Sequence, residues 1–376
     1  MNVSFLEPVF AAAGPYATVC ADVTHTNENA DTELELRVRG VTERLTGAGA
    51  PETVVEAVRN RLLEGNEGGA AGTLRGRALV VAADGSVVLD EALVEAPRQE
   101  VAEWSPQPNL TPVLRQLPGR VPHVVVLTDR VGADITYLGA PGQVEDEKTV
   151  EGQTLHIRKV RVGGWAHDHW QNNAENQWAE NVGQVADRIT SYARRLSPRF
   201  VLVAGDVRAR TMLTDQASDL WKDLVVTMDE GGRAAGADRE PVDRRAAELV
   251  AEHEAREIAQ TVDQVEGAAA HGLSVRGQEP VVEALRKGQV ETLVLADEQE
   301  DGTLLVGRSP IELGVNQHDM DALGVHGEAV PADRALLAAA VASNAAVVVL
   351  PRAAMPDGAS VAAVLRYTDA STTTSS

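Results

Sequence analysis

The residues with the clearest capacity for chemistry stand in the run His167-Asp168-His169. Two imidazoles and a carboxylate are common metal ligands. On a helix, however, side chains one or two positions apart point in different directions, and on a strand only every second side chain shares a face. No further cluster of His, Cys or acidic residues stands nearby in the sequence. The spacing therefore favours a polar contact surface over a metal site, and we expect no bound metal or other cofactor.

Other catalytic signatures are also missing from the sequence. The single cysteine, Cys20, lies in an apolar stretch and is expected to be unreactive. There is no Gly-x-Ser-x-Gly nucleophile motif, and no Gly-x-Gly-x-x-Gly motif opens a helix after a strand. Asp129 and Asp206 each follow an apolar strand, but two acids without a third or a partner histidine indicate a structural or capping role. These patterns favour a binding protein over an enzyme.

The segment from Gly152 to Trp170 is locally basic. It holds Arg158, Lys159 and Arg161 against Asp168 alone, whereas the whole chain carries a formal net charge of -22. A surface that is acidic on average repels phosphates, so it argues against non-specific binding to nucleic acid. A basic patch on such a protein is the place where contact with RNA is expected.

This basic segment runs into the pair Gly163-Gly164 and then into the most regular helical pattern of the chain. Paired glycines let the main chain approach a partner closely. Apolar residues spaced three and four apart then predict one buried stripe on an amphipathic helix. The stripe consists of Trp170, Ala174, Trp178, Val182, Val185, Ala186, Ile189, Ala193 and Leu196. A helix that is fixed by such a buried stripe would support the loop that precedes it and present this loop at the surface.

Length and composition indicate a multidomain protein with aliphatic cores. The chain has 376 residues, of which 44% are hydrophobic but only 3% aromatic. A chain of this length is too long for one compact core. With one cysteine it cannot form a disulfide framework, and it has no apolar run long enough to span a membrane. The N-terminal residues lack a signal-peptide pattern, so we expect a cytoplasmic protein.

Strand and helix patterns alternate along the chain and predict an α/β fold. Predicted strands cover residues 17–23, 74–82, 87–94, 124–128, 135–138, 200–206, 290–296, 304–306, 346–350 and 361–366, with a short strand at 225. Predicted helices cover residues 32–45, 51–64, 170–196, 209–221, 241–265, 279–286 and 332–343.

Two breaks in this alternation suggest domain boundaries. A proline-rich passage from Pro106 to Pro122 indicates a linker or domain edge, and a glycine-containing stretch from Gly231 to Asp238 indicates a flexible break. The polar tail from Asp369 to Ser376 is expected to be disordered. We therefore predict three domains, at residues 1–118, 119–236 and 237–376, the last of them a small α/β/α sandwich preceded by a long helix.

Two stretches resemble the archaeo-eukaryotic peptide-chain release factor and Pelota family. One is Gly288-Gln289-Val290-Glu291-Thr292-Leu293-Val294-Leu295, preceded by Val282-Glu283-Ala284-Leu285, which is similar to the family's third domain. The other is the basic segment with Gly163-Gly164 and the long helix, which resembles the place where release factors carry Gly-Gly-Gln. The resemblance implies a three-domain architecture: a first domain for the decoding region, a middle domain that reaches the peptidyl-transferase centre, and a last domain of the ribosomal L7 type.

The sequence departs from the family at the residue that matters most for hydrolysis. In release factors the glutamine places water against the peptidyl-tRNA ester, and the residue aligned with it here is Trp165. An indole instead stacks on bases and ribose, with about 1 to 3 kcal/mol per stacked base. The sequence looks like the bacterial branch of the family, similar to the ribosome hibernation factor Balon and its mycobacterial relatives. That likeness implies occupancy of the ribosomal A site together with an EF-Tu-like translational GTPase.

We therefore expect a ribosome-binding hibernation factor, active under stress, that does no catalysis. Its partners would be ribosomal RNA at the A site, the peptidyl-transferase centre and the decoding centre, with no role for DNA or membrane. The predicted RNA-binding residues are Arg158, Lys159, Arg161, Gly163, Gly164, Trp165, His167, His169, Trp170 and Gln171. Two alternatives stay open: a peptidyl-tRNA hydrolase or rescue factor that uses Gln171 or a histidine, and a stress regulator that acts away from ribosomes.

Overall fold

The fold is taken from a computed structural model. It describes residues 4–24, 30–64, 76–93, 96–97, 99–116, 121–129, 133–139, 153–154, 167–231, 238–297 and 302–369. The chain forms two compact units. Unit 1 consists of residues 1–67, 74–118 and 255–376, and unit 2 of residues 68–73 and 119–254. The predicted first and last domains thus fall within one unit, and their separation into two domains stays a prediction.

The first part of unit 1 is an antiparallel sheet with two helices on one face. Its elements are α1 (Glu7–Ala11), β1 (Tyr16–Asp22), α2 (Ala30–Gly47), α3 (Glu52–Leu63), β2 (Gly76–Ala82), β3 (Val87–Leu93), β4 (Val101–Ser105) and α4 (Thr111–Gln116). The strand order is β3-β2-β1-β4. Alternate residues of β1 enter two different cores: Ala17, Val19 and Ala21 pack under α2 and α3, whereas Tyr16 and Cys20 face the opposite way.

Unit 2 is a three-layer α/β arrangement. Its elements are β5 (His123–Thr128), β6 (Ala133–Leu138), β7 (Gln153–Thr154), α5 (His167–Leu196), β8 (Phe200–Gly205), α6 (Val207–Asp215), β9 (Val225–Thr227) and the first half of α7 (Glu240–Ala270). The strand order is β7-β6-β5-β8-β9, with β8 parallel to both β5 and β9. Helices α5 and α6 share a core with one face of the sheet, and Val242 and Leu249 of α7 share a core with the other.

The last part of unit 1 is an α/β/α sandwich with a small additional sheet. Its elements are β10 (Ser274–Arg276), α8 (Gln278–Arg286), β11 (Val290–Ala296), β12 (Thr303–Val306), β13 (Leu313–Gly314), α9 (Gln317–Leu323), β14 (Glu328–Pro331), α10 (Ala332–Ala342), β15 (Ala346–Leu350) and β16 (Val361–Leu365). The main sheet has the order β10-β16-β11-β15, and β13-β12-β14 form the second. Helices α8 and α10 cover one face, and Val265 of α7 packs on the other, so the predicted sandwich is confirmed.

The two parts of unit 1 are joined by polar contacts as well as by a shared apolar core. Arg334 of α10 donates from Nη2 to Glu103 Oε2 of β4 at 2.8 Å, and its Nη1 lies 3.3 Å from both Ser105 Oγ and Gln107 O. Arg115 of α4 donates from Nε to Asp297 O at 2.6 Å. These bonds connect residues that are separated by as many as 231 positions in the sequence.

One sequence prediction requires correction. The helix predicted to run to Trp221 ends at Asp215, because Gln216 caps it and Trp221 turns inward to become fully buried. The domain edge predicted in the proline-rich passage agrees with the boundary between the two units at residues 118 and 119. The passage also contains α4, which has Pro112 in its first turn and in which Val113 and Leu114 are buried. Pro suits the first turn of a helix because the N–H that it lacks would have no partner there. None of the helices in the described ranges contains an apolar stretch of membrane-spanning length.

Candidate nucleic-acid interface

The predicted contact loop lies mostly outside the described residues. Arg158, Lys159, Arg161, Gly163, Gly164 and Trp165 all fall there. The described chain stops at β7 and resumes at His167, where α5 begins. The backbone places His167, His169, Trp170 and Gln171 in the first turns of this helix, while their side chains are also outside the described set. The RNA-contact roles of these ten residues stay a prediction.

The helix behind the loop is anchored as the sequence predicts. From Val182 to Leu196 every position predicted for the apolar stripe is buried, with Ile189 0% and Leu196 1% exposed. These side chains pack against Val124, Val126 and other residues of the sheet face. Full burial of each Val, Ile or Leu side chain among them stabilises the fold by about 1.5–3 kcal/mol. The C-terminal half of α5 is therefore a fixed support for the segment that precedes it. The side chains of Trp170, Ala174 and Trp178 lie outside the described set.

A buried hydrogen-bond network fastens α5 to the turn after α6. Trp221 Nε1 donates to Thr190 Oγ1 at 3.0 Å, and Thr190 Oγ1 donates to Ala186 O at 2.8 Å. Ser218 Oγ lies 3.1 Å from the same hydroxyl. Because the indole is fully buried, its N–H needs this partner, and the bond fixes the position of the helix. No local pattern predicts this network, because Thr190 lies 31 positions from Trp221 and 28 positions from Ser218 in the sequence.

Asp206 has the capping role that the sequence indicated. Its Oδ1 accepts hydrogen bonds from the backbone N–H of Arg208 at 3.0 Å and of Ala209 at 3.1 Å, at the start of α6. The preceding Gly205 has φ of 114°, and a Cβ there would collide with Thr128 O. Among the described side chains, no group of three or more His, Cys, Asp or Glu residues could hold a metal ion.

Two tyrosines and two arginines form a cluster near the C-terminal end of α5, which we call the arginine–tyrosine cluster: Tyr137, Arg188, Tyr192 and Arg195. The two rings lie 4.3 Å apart between centroids and are 7% and 4% exposed. The Cζ atom of Arg188 lies 5.3 Å from the centroid of Tyr192, and that of Arg195 lies 5.5 and 5.6 Å from the two centroids. Both arginines are exposed. The sequence reading missed this cluster, although residues 188–199 contain four arginines and no acid.

Burial shifts the pKa of two side chains in the cores, Cys20 and His123. Burial, and then the charge of Glu103, raise the pKa of the Cys20 thiol to about 12. The thiol therefore stays protonated and unreactive, as the sequence predicted. In unit 2, burial lowers the pKa of His123, whose ring stacks on Phe200 with centroids 4.8 Å apart. The ring of His253 also stacks on Phe200, with centroids 5.7 Å apart, and is likewise a packed histidine.

Comparison with known proteins identifies the family. A family model described as bacterial archaeo-eukaryotic release factor family 2 matches residues 122–271. The chain is also 30% identical over 377 residues to the uncharacterized protein Rv2629 of Mycobacterium tuberculosis, an alignment that covers 98% of this chain and 97% of that one. The chain belongs to the bacterial archaeo-eukaryotic release factor family. The family resemblance inferred from the sequence is thus confirmed.

The residues matched by the family model extend from the start of β5 to just past the end of α7. The match therefore includes the sheet of unit 2, the anchored helix α5 and the arginine–tyrosine cluster.

Several solved structures are similar to this bacterial release factor family member. The archaeal translation termination factor aRF1 is 15% identical, with 97% of this chain and 99% of that chain covered and a TM-score of 0.28. Pelota of Archaeoglobus fulgidus is 17% identical, with 78% and 80% covered and a TM-score of 0.34. A ribosome-bound archaeal Pelota, determined with ABCE1, is 16% identical, with 96% and 93% covered and a TM-score of 0.35.

Proposed function

We propose that this protein is a ribosome-binding hibernation factor that occupies the A site of idle ribosomes and does no catalysis. The observation that carries the proposal is Trp165, which follows Gly163-Gly164 where release factors have a glutamine. Membership of the release factor family supports a role at the ribosome. The indole can stack on a base but cannot hold a water molecule against an ester carbonyl, because it has one N–H donor and no acceptor.

The proposed contact divides into charged and aromatic parts. Arg158, Lys159 and Arg161 bind rRNA phosphates, which fixes position without reading sequence. Trp165 and Trp170 stack on unpaired bases or ribose, as aromatic side chains do in RNA recognition. His167, His169 and Gln171 supply hydrogen bonds at the base of the loop. Helix α5, with its buried C-terminal half, holds these groups at the peptidyl-transferase centre.

The remaining partners follow from the same proposal. The N-terminal segment of unit 1 lies toward the decoding centre, and an EF-Tu-like translational GTPase accompanies the protein to the A site. The protein then blocks the site physically. Because no bond is cleaved, nascent peptidyl-tRNA on the ribosome stays intact.

Charge reversal in the loop tests this proposal. The triple substitution Arg158→Glu, Lys159→Glu, Arg161→Glu places three negative charges where three phosphate contacts are proposed, so cosedimentation with purified bacterial ribosomes should fall at least tenfold at low salt. Unchanged binding would remove the loop from the contact.

A matched control separates the loop from the general effect of added negative charge. Arg39, Arg59 and Lys222 are exposed and lie on other elements, so their triple substitution by Glu changes the net charge equally. This control should retain most of the binding of the parent protein. Equal loss in both triple variants would show that only overall charge matters.

Peptide release distinguishes the proposal from a hydrolase function. Ribosomes carrying labelled peptidyl-tRNA should retain their label in the presence of saturating protein. Release of labelled peptide, abolished by Gln171→Ala, would instead establish a peptidyl-tRNA hydrolase.

A further inference from the structure

The turn that follows β9 presents an exposed carboxylate that is held by a buried arginine. Arg210 of α6 donates from Nη2 to Asp229 Oδ1 at 2.6 Å and from Nη1 to Met228 O. The Arg210 side chain is 7% exposed, whereas that of Asp229 is 93% exposed. Hydrogen bonds between charged groups are short and strong, so they fix the geometry of the groups that they join. Asp229 is therefore held in a defined position with its carboxylate open to solvent.

This carboxylate lines a groove of unit 2 between the turn and α7, which we call the β9–α7 groove. The groove has a volume of about 350 Å³. The turn contributes Met228, Asp229 and Glu230 to its lining, and the charged residues that α7 contributes are Arg244, Arg245 and Glu248. Its volume lies within the range of ligand-binding sites, and it is large enough to accept a long side chain of a partner.

The two arginines of the β9–α7 groove are already paired with carboxylates of the same helix. Arg245 Nη1 lies 2.9 Å from Glu248 Oε2 and 3.3 Å from Glu252 Oε1. Arg244 Nη1 lies 3.7 Å from Glu240 Oε1. The positive charge on the α7 side is therefore offset within α7 and does not neutralise the acids of the turn.

The turn side of the β9–α7 groove is left acidic. Among the described residues, no ion pair includes Glu230, and Asp229 pairs with Arg210 alone. The groove, its pairs on α7 and Arg210 together hold five carboxylates against three guanidinium groups, a net charge of -2. A positively charged group that enters the groove thus meets two exposed carboxylates on its turn side.

The same edge of the sheet carries the most exposed large apolar side chain in the described part of the chain. This residue is Val207, which is 63% exposed. Val207 follows β8 by two residues, as Asp229 follows β9 by two, and the two strands are adjacent and parallel. Both residues therefore lie at the carboxyl edge of the sheet, where parallel α/β sheets bind their ligands. An apolar contact with a charged rim is the composition of a protein interface.

We propose that the carboxyl edge of β8 and β9, with the β9–α7 groove, binds a basic segment of another protein. A lysine or arginine side chain of this segment enters the groove and pairs with Asp229 and Glu230, while its neighbouring residues contact Val207. RNA fits this surface less well, because the exposed carboxylates repel phosphates. The inference goes beyond the proposed function, since it adds a protein contact that does not involve the loop at residues 158–171.

Binding of a fluorescein-labelled octalysine peptide to the full-length protein, measured by fluorescence anisotropy, tests the proposal. The variant Asp229→Asn/Glu230→Gln should bind the peptide about fivefold more weakly, because two exposed ion pairs are lost. Glu230→Gln alone leaves the pair of Asp229 with Arg210 intact and should still weaken binding about twofold. The control Asp215→Asn/Asp223→Asn removes two charges from exposed positions between α6 and the start of β9, toward the opposite edge of the sheet, and should keep the Kd of the parent.

A photo-crosslinking amino acid locates the bound peptide. Benzoylphenylalanine in place of Val207 should crosslink to the labelled octalysine, whereas the same amino acid in place of Asp215 should not. Equal crosslinking from the two positions, or none from position 207, would contradict the proposal.

The remaining outcomes decide between this contact and its alternatives. An unchanged Kd in the groove variants, or an equal loss in the control, would overturn the inference, because only overall charge would then matter. A labelled single-stranded RNA that binds the parent and is lost in Asp229→Asn/Glu230→Gln would likewise overturn it. These assays contain no ribosomes, so their failure leaves the proposed ribosome-binding function standing, and failure of ribosome binding leaves this contact standing.

Discussion

At the residue scale, single polar side chains have roles that can be tested without any ligand. The Asp206 carboxylate caps α6 with two backbone hydrogen bonds. We expect Asp206→Ala to lower the free energy of unfolding by about 1 kcal/mol, because removal of an N-cap leaves backbone donors unsatisfied. Asp206→Asn keeps an oxygen acceptor and should lose less. Urea denaturation measures the free energy of unfolding of both variants. An equal decrease in the two variants would contradict the capping role.

His123 gives stability a pH dependence. Burial lowers its pKa below the unfolded value near 6.5, and its Nδ1–H donates to Val121 O at 2.7 Å. At a pH between the pKa of His123 in the folded state and its pKa in the unfolded state, the unfolded state binds more protons than the folded state. The free energy of unfolding therefore decreases as the pH falls below about 6.5. Unfolding free energy should therefore decline on acidification, and less steeply in His123→Gln. Identical pH dependence in the parent and variant would exclude His123 as the cause.

At the element scale, Arg334 fastens α10 to the end of β4. Its side chain is 15% exposed and its guanidinium reaches Glu103, Ser105 and Gln107. Arg334→Ala should cost about 2 kcal/mol of unfolding free energy, because it leaves charged and polar acceptors without their donor. Substitution of exposed Arg308 by Ala should cost far less. A double-mutant cycle with Glu103→Gln measures the coupling, and a coupling energy of zero would contradict the pairing.

Most elements could be predicted from periodicity, and the failures have physical causes. The hairpin of β2 and β3, the long helix α5 and the strands of the last sandwich follow patterns of two or 3.6 residues that local sequence carries. Trp221 fits the spacing of a helix, but it lies in a turn. Its side chain is buried there and donates a hydrogen bond to Thr190. Strands β10 and β13 have three and two residues, too few to show alternation. All five residues of β4 are half-buried, so this strand has no clearly buried face for an alternating pattern to reveal.

At the scale of the whole molecule, long-range pairing was invisible to the sequence reading. The first and last segments join in unit 1 through contacts such as Arg334 with Glu103, which no local pattern encodes. The candidate site was predicted from local charge and from the family motif, and its role in RNA contact stays a prediction. It missed the arginine–tyrosine cluster because Tyr137 lies on β6, far in sequence from Arg188 and Arg195.

The charge distribution of the chain is compatible with the proposed binding to rRNA. A formal net charge of -22 keeps most of the surface away from phosphates, while residues 158–161 and 188–199 are locally basic. The basic segments attract phosphates while the rest of the surface repels them. This combination favours one binding orientation on RNA over non-specific binding.

A cryo-EM map of idle bacterial ribosomes bound to the purified full-length protein would test the proposed hibernation function directly. We expect density for the protein in the A site, with Trp165 against rRNA at the peptidyl-transferase centre and any peptidyl-tRNA ester intact. A map in which the A site is empty, or in which residues 158–170 face away from RNA, would contradict it.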